Sequence, residues 1–207
     1  MGNVYAEDNT SVREPLFYWN MDEQIGNAAD GGSVGTEMSI PAGVGRSKGV
    51  VGNCLVFGSG SYASADKVAN ELNGAEGIAI SGAFKNYDFP DSTRKQYMLV
   101  KLFMDNTLGG INIYIEGQEI IFEARSEKTD SIKRVKAPLT TKYKWHSFVA
   151  AADYKNKQMK LYIDGQLAVS SKAEFAMSAM KTGAPQSPDF TIGGAGALSF
   201  YGEMDEI

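Results

Sequence analysis

Residues 144–169 read KWHSFVAAADYKNKQMKLYIDGQLAV, and this stretch decides the fold. Between Trp145 and Ala152, apolar side chains occupy both faces of an extended chain, which is typical of a strand buried between two layers. After a polar turn, residues 159–163 alternate between apolar and polar side chains, as a strand with one buried face does. The stretch therefore predicts a central strand and its neighbour in a two-layer β protein.

The dipeptide Asp164-Gly165 ends the second strand and predicts a tight hairpin. A type I′ turn needs a positive φ at both central residues, and Asp and Gly are among the residues that adopt it most readily. Leu167 and Val169 then begin the return strand.

Short segments of the same kind recur along the chain of 207 residues, and helical periodicity is almost absent. We predict an all-β fold of two antiparallel sheets, as a single domain over residues 15–207 after a flexible arm at 1–14. A first strand is expected at Leu16–Trp19, a short strand near Glu37–Ile40, and one helical turn at Asp66–Leu72 with Asp66 as its N-cap. The closing strand is expected to be cut short at Ile207.

Five short segments of the chain together match the sequence signature of one protein family, in the order in which that family has them. They are Gly52, Leu55, Phe57 and Gly60; Trp145, His146, Val149 and Ala150; Lys160–Leu167; Phe190–Gly194; and Phe200–Ile207. Together they resemble laminin-G-like domains of the concanavalin A-like lectin/glucanase superfamily. The resemblance implies a two-sheet antiparallel jelly-roll sandwich. It leaves the function open, because the superfamily holds lectins, adhesion modules and hydrolases alike.

The resemblance also implies a structural calcium ion that braces the N-terminal loop against the closing strand. Asp22, after the first strand, and Asp205, in the closing strand, stand at the positions that suit such an ion, with Glu23 and Asp30 as further candidates. Calcium takes six to eight oxygen ligands from carboxylates and backbone carbonyls. The alternative is that these carboxylates cap turns or face solvent.

Sugar binding would use aromatic rings as stacking platforms, beside a few polar groups. Tyr62, Tyr87, Phe89 and Tyr201 lie in polar loops and are the candidate ligand-binding residues. Most aromatic side chains of a sandwich belong to its core, which is the competing interpretation for each of them.

Catalytic chemistry has little support in the sequence. His146 is the single histidine and lies in a predicted strand, so neither a catalytic triad nor a zinc site is expected. Glu203-Met204-Asp205 supplies only the first half of the Glu-x-Asp-x-x-Glu strand of laminarinase-type glucanases. Cys54, the one cysteine, is expected to be a packed thiol. We predict that the protein is not an enzyme.

The net charge of −5 argues against a nucleic-acid partner, and no apolar run is long enough to span a membrane. Val4-Tyr5-Ala6 resembles the end of a signal peptide, which favours a bacterial secreted or cell-surface protein. The leading hypothesis is a non-catalytic carbohydrate-binding module of a larger protein, with a glycan or polysaccharide as partner. The alternatives are a structural or adhesion spacer that binds protein and, less favoured, a glycoside hydrolase or lyase; the oligomeric state is left open.

Overall fold

The computed structural model describes residues 14–91, 97–102, 108–183, 187–194 and 198–207, so most of the predicted arm lies outside it. The described residues form strands β1 (Gly45–Lys48), β2 (Asn53–Phe57), β3 (Ala63–Ala65), β4 (Gly77–Asn86), β5 (Tyr97–Leu102), β6 (Gly110–Glu116), β7 (Glu119–Arg125), β8 (Lys133–Pro138), β9 (His146–Asp153), β10 (Gln158–Ile163), β11 (Gln166–Lys172), β12 (Phe190–Ile192) and β13 (Gly202–Asp205), and helix α1 (Val68–Leu72). No helix among these residues has the length and apolar character that crossing a membrane requires.

The strands form two antiparallel sheets, which confirms the predicted all-β sandwich. One sheet has seven strands in the order β1-β2-β13-β4-β9-β10-β11, and the other has six in the order β3-β12-β5-β6-β7-β8. Apolar side chains from both sheets, such as Phe84 and Phe148 in one and Ile113 and Phe122 in the other, form a common core. The alternating sequence pattern puts these residues on the inner faces.

The hairpin of residues 146–172 forms as predicted, with β9 paired to β10 and β10 paired to β11. Asp164 and Gly165 have φ values of 51° and 75°, as a primed turn requires. The expectation that both faces of β9 are buried is wrong. Phe148 is 1% exposed on the inner face, which packs in the core shared with the other sheet, whereas Val149 is 38% exposed on the side away from that core.

Two predicted strands are replaced by less regular pairings. Residues 16–19 form no strand, although Trp19 N donates to Ile207 O at 2.8 Å and Ile207 N donates to Trp19 O at 3.1 Å. Near residues 37–40, only the isolated bridges Ala28↔Met38 and Ser39↔Ser64 form. Conversely, no strand was expected at β1 or β3, because their short sequences have no recognisable period. These residues are extended through pairing with β2 and β12.

Helix α1 lies where one helical turn was predicted, but Asp66 is not its N-cap. Lys67 takes that position with a φ of 68°. The carboxylate of Asp189 accepts hydrogen bonds from the first helical N–H groups, those of Val68 and Ala69, at 3.2 Å each. A distant residue thus satisfies donors that a local cap usually satisfies, a pairing that local sequence rules do not reveal.

Candidate functional site

Sheet topology brings three chain segments together at one end of the seven-stranded sheet. Strand β4 pairs with β9 so that Phe84 lies opposite His146, which places the end of β4 beside the start of β9. On its other side β4 pairs with β13, and Lys85 lies opposite Glu203. Residues 85–89, 141–146 and 203 therefore meet, and we call this the aromatic cluster.

Tyr143 is the exposed platform of the aromatic cluster. Its side chain is 70% exposed, and its ring stacks on that of Tyr87 with centroids 5.8 Å apart and planes 20° from parallel. Tyr143 N donates to Asn86 O at 2.8 Å, and its φ of 58° turns the chain sharply before β9. One face of the ring is packed on Tyr87, which leaves the opposite face available to a ligand.

A buried carboxylate fixes the position of the Tyr87 hydroxyl. Its hydroxyl donates to Glu203, which is 4% exposed and also pairs with Lys85 Nζ. Burial, followed by the hydrogen bond to Glu203, raises the pKa of Tyr87 well above its usual value. The Tyr87 ring is therefore fixed by a charge-assisted hydrogen bond rather than by apolar packing alone.

Cation–π contacts complete the cluster, and in one of them Lys85 Nζ lies 6.0 Å from the ring centroid of Tyr87. Lys85 Nζ lies 5.1 Å from the ring centroid of half-buried Trp145, and Lys142 Nζ lies 5.3 Å from that of Phe89. Lys142 also pairs with Asp88 at 2.6 Å, and this contact lowers the pKa of the Asp88 carboxyl. Phe89 packs partly against the core, so its ring is less available than that of Tyr143.

Of the four aromatic candidates, Tyr87 and Phe89 lie in the aromatic cluster, Tyr201 adjoins it through a backbone hydrogen bond, and Tyr62 lies elsewhere. Tyr201 O accepts a hydrogen bond from Tyr87 N at 2.9 Å, and the Tyr201 ring lies 5.9 Å from that of Tyr97. Tyr62 instead lies on the connection between β2 and β3, beside Gly194.

Sequence reasoning did not assign Tyr143, Lys85 and Glu203 to this site. Tyr143 lies in a polar run directly before the signature strand. That polar context was the sequence feature that could have indicated an exposed ring. Lys85 and Glu203 are 118 positions apart in the chain (203 minus 85), and they pair because β4 lies beside β13. No local sequence pattern indicates this contact.

The two metal candidates both hold the turn between β1 and β2. Asp22 Oδ1 accepts from Asn53 N at 2.8 Å, and Asp205 Oδ2 accepts from Val50 N at 2.8 Å and from Val51 N at 3.2 Å. A Cβ atom at Gly49 would overlap Asp205, and one at Gly52 would overlap Asp22. These carboxylates therefore brace the turn through backbone hydrogen bonds.

This donor set offers little to a calcium ion as it stands. Of the carboxylate oxygens of Asp22 and Asp205, Asp205 Oδ1 is the one that is buried without a hydrogen-bond partner. Both oxygens of Asp30 accept N–H groups, Oδ1 from Tyr18 at 2.7 Å and Oδ2 from Thr36 at 2.8 Å. Glu23 Oε1 accepts from Ala29 N at 2.7 Å, and Glu23 Oε2 is buried without a hydrogen-bond partner. In the described part of the chain, no three His, Cys, Asp or Glu side chains converge as metal ligands would. Calcium stays a prediction, for which a test is given below.

The residues considered for catalysis are engaged in structural contacts. His146 is 6% exposed, with Nδ1 at 2.8 Å from Asp164 Oδ2 and Nε2 at 2.6 Å from Thr141 Oγ1. Glu203 is bound by Lys85 and Tyr87 as described above. Cys54 is fully buried, and desolvation raises the pKa of its thiol to about 12, which agrees with the expected packed thiol.

Comparison with known proteins identifies the fold only. No family model matches the sequence, and no curated protein matches it. Solved structures do match, and binding domains of botulinum neurotoxins are among them. The binding domain of botulinum neurotoxin serotype G superposes with a TM-score of 0.71 at 14% identity, over 92% of this chain and 46% of that chain.

Two further structures give the same result. The binding domain of botulinum neurotoxin DC in complex with SialylT has a TM-score of 0.67 at 13% identity, over 92% of this chain and 46% of that one. The binding domain of Paraclostridial Mosquitocidal Protein 1 has a TM-score of 0.65 at 15% identity, over 94% and 48%. The chain spans about half the length of these domains and shares their β-sandwich fold. The laminin-G-like resemblance remains a prediction.

Proposed function

We propose that this chain is a non-catalytic carbohydrate-binding module of an exported or cell-surface protein, and that a sugar ring stacks on Tyr143. The observation that carries the proposal is the open face of the Tyr143 ring, since the other face is packed on Tyr87. An exposed, preorganised aromatic ring costs little conformational entropy on binding and suits the apolar face of a sugar. The structural neighbours support a binding role, because they include neurotoxin binding domains, one of them in complex with SialylT.

Polar groups beside the ring supply the hydrogen bonds that a sugar needs. Asp88 and Lys142 are partly exposed, and Lys144 is an exposed cation with no recorded partner among the described residues. The contact area is small, so we expect an affinity on the order of 10 μM to 1 mM, equivalent to about 4–7 kcal/mol. Stacking rather than ion pairing dominates, so binding should depend little on salt.

The test is a glycan array followed by calorimetry on each hit. Tyr143→Asn removes the ring but accepts the positive φ at this position, so it should fold normally and lose binding. Tyr143→Phe keeps the ring and should keep binding, and Tyr62→Ala removes a half-buried ring outside the cluster and should also keep it. A hit that survives Tyr143→Asn would disprove the assignment to the aromatic cluster. A broad array without hits would disprove glycan binding and favour the protein-binding spacer.

A further inference from the structure

His146 connects two loops at one end of the seven-stranded sheet. Its Nδ1 atom lies 2.8 Å from Oδ2 of Asp164, in the turn between β10 and β11. Its Nε2 atom lies 2.6 Å from Oγ1 of Thr141, which precedes Tyr143 in the loop between β8 and β9. We call these three side chains, Thr141, His146 and Asp164, with the two hydrogen bonds that join them, the His146 bridge.

The chemistry of the three groups determines which of them donate. An ionised carboxylate only accepts hydrogen bonds, so Nδ1 of the imidazole must carry a proton and donate it to Asp164. In the neutral ring Nε2 is then an acceptor, and the Thr141 hydroxyl donates to it. The bridge is therefore directional, and it selects the Nδ1-protonated tautomer of His146.

The turn side of the bridge is firmly held. Asp164 Oδ1 accepts from Ser147 N at 3.0 Å, and Asp164 N donates to Ser147 O at 2.9 Å. The imidazole is 6% exposed and lies beside Phe84, with ring centroids 5.7 Å apart. Backbone bonds and burial thus fix Asp164 and His146 before Thr141 is considered.

The loop side depends more on the bridge. In the described part of the chain, N–H groups of this loop donate to other elements at its first residue and at Tyr143, whose N–H bonds to Asn86 O at 2.8 Å. The ion pair between Lys142 and Asp88 is exposed, and exposed pairs contribute little. Thr141 therefore makes the side-chain hydrogen bond that connects this part of the loop to a buried group.

We propose that the His146 bridge positions Tyr143 for its ligand, so that the turn between β10 and β11 controls the aromatic cluster. The effect on glycan binding rests on the proposed function, whereas the effect on the loop does not. Without the bridge, the Tyr143 ring leaves its stacked position on Tyr87 for part of the time. A ligand then binds only the fraction of molecules with the ring in place, and its apparent affinity falls by that fraction.

Hydrogen exchange at the Tyr143 amide, followed by NMR, tests the positioning and needs no glycan. Thr141→Val removes the hydroxyl and keeps the β-branched shape, whereas Thr141→Ser keeps the hydroxyl and is the matched control. Tyr143 N–H should exchange roughly two- to tenfold faster in Thr141→Val, as the loss of one hydrogen bond allows, and at the unmodified rate in Thr141→Ser. The Ala173 amide, bound to Lys157 O at 2.8 Å at the far end of the β10–β11 hairpin, should not change in either variant.

Asp164→Gly tests control by the turn. Glycine accepts the φ of 51° at this position, so the turn stays intact while the bridge loses its carboxylate. Tyr143 N–H should again exchange faster. Lys157→Gly is the matched control, because Lys157 also has a positive φ, of 55°, but lies in the turn between β9 and β10. It should leave the Tyr143 amide unchanged.

Glycan affinity is the second readout. On any glycan that binds, Thr141→Val should weaken affinity roughly two- to tenfold, and Thr141→Ser should not. Equal exchange at Tyr143 in these two variants would overturn the proposal whether or not a glycan binds, and so would equal affinity for a bound glycan. Nitrogen-15 spectra that show a neutral His146 protonated at Nε2 would overturn it as well. If no glycan binds, the proposed function fails, and the exchange rates alone decide whether the bridge positions Tyr143.

Discussion

Asp22 and Asp205 hold the two ends of one turn, although they are far apart in the sequence. Asp22 Oδ1 accepts from Asn53 N at 2.8 Å, and Asp205 Oδ2 accepts from Val50 N at the same distance. Asp205 is fully buried, and burial raises the pKa of its carboxyl from 3.8 to about 6. Asp22 and Asp205 thus connect the N-terminal segment and the closing strand to the β1–β2 turn. The Asp205 carboxyl titrates in an accessible pH range.

We predict that the free energy of unfolding falls as pH rises from about 4 to about 6, through the titration of Asp205. In that window the unfolded chain loses the Asp205 proton while the folded chain keeps it, so the folded state binds more protons. At about 1.4 kcal/mol per pKa unit, the change reaches roughly 3 kcal/mol. Urea unfolding at a series of pH values, in chelator, measures it. Asp205→Asn should lose this component of the slope, and parallel curves for both proteins would contradict the prediction.

Calcium, if it binds at Asp22 and Asp205, should stabilise the protein by mass action. The ion would bind the folded state only, so added chelator should lower the melting temperature. Asp205→Ala should abolish that sensitivity, because it removes both carboxylate oxygens of Asp205, including Oδ1, which has no hydrogen-bond partner. Equal melting temperatures with and without chelator, in protein that contains no bound metal, would rule the ion out.

The Asp164-Gly165 turn should not tolerate a β-branched residue. Gly165 has a φ of 75°, and no atom lies within 4 Å of a Cβ added there, so backbone strain is the only cost. Gly165→Val should therefore destabilise the protein by about 1–2 kcal/mol. Gly43→Val is the matched control, because its Cβ also meets no atom within 4 Å and its φ lies outside the positive range. Chemical denaturation should separate the two variants, and equal stabilities would contradict the argument.

The sequence was most informative where structure depends on neighbouring residues. Strands β9 to β11 and their turn follow from side-chain period and from the φ preference of Asp and Gly, and these predictions are confirmed. Asp22 and Asp205 were expected to bind the same region through an ion, and they do meet at one turn through backbone N–H groups.

The remaining features depend on contacts between distant segments, which a period cannot encode. The four-residue strand β1 becomes a strand by pairing with β2, and Asp189 caps α1 from the other end of the chain. The aromatic cluster is of the same kind. Tyr87 could be selected as an aromatic residue in a polar loop, but its contacts with Glu203 and Tyr143 follow from the strand order β13-β4-β9.

Removal of the Tyr87 hydroxyl should destabilise the protein and leave the ring in place for a ligand. In Tyr87→Phe, buried Glu203 loses one of its two partners and keeps Lys85, which should cost about 1–3 kcal/mol in the free energy of unfolding. Tyr162→Phe is the matched control, since the Tyr162 hydroxyl has no recorded hydrogen bond among the described residues, and its stability should match that of the unmodified protein. Because the stack on Tyr143 does not use the hydroxyl, glycan affinity below the melting transition should change less than in Tyr143→Asn. If Tyr87→Phe is as stable as Tyr162→Phe, Glu203 does not fix the Tyr87 ring, and the account of a preorganised platform fails.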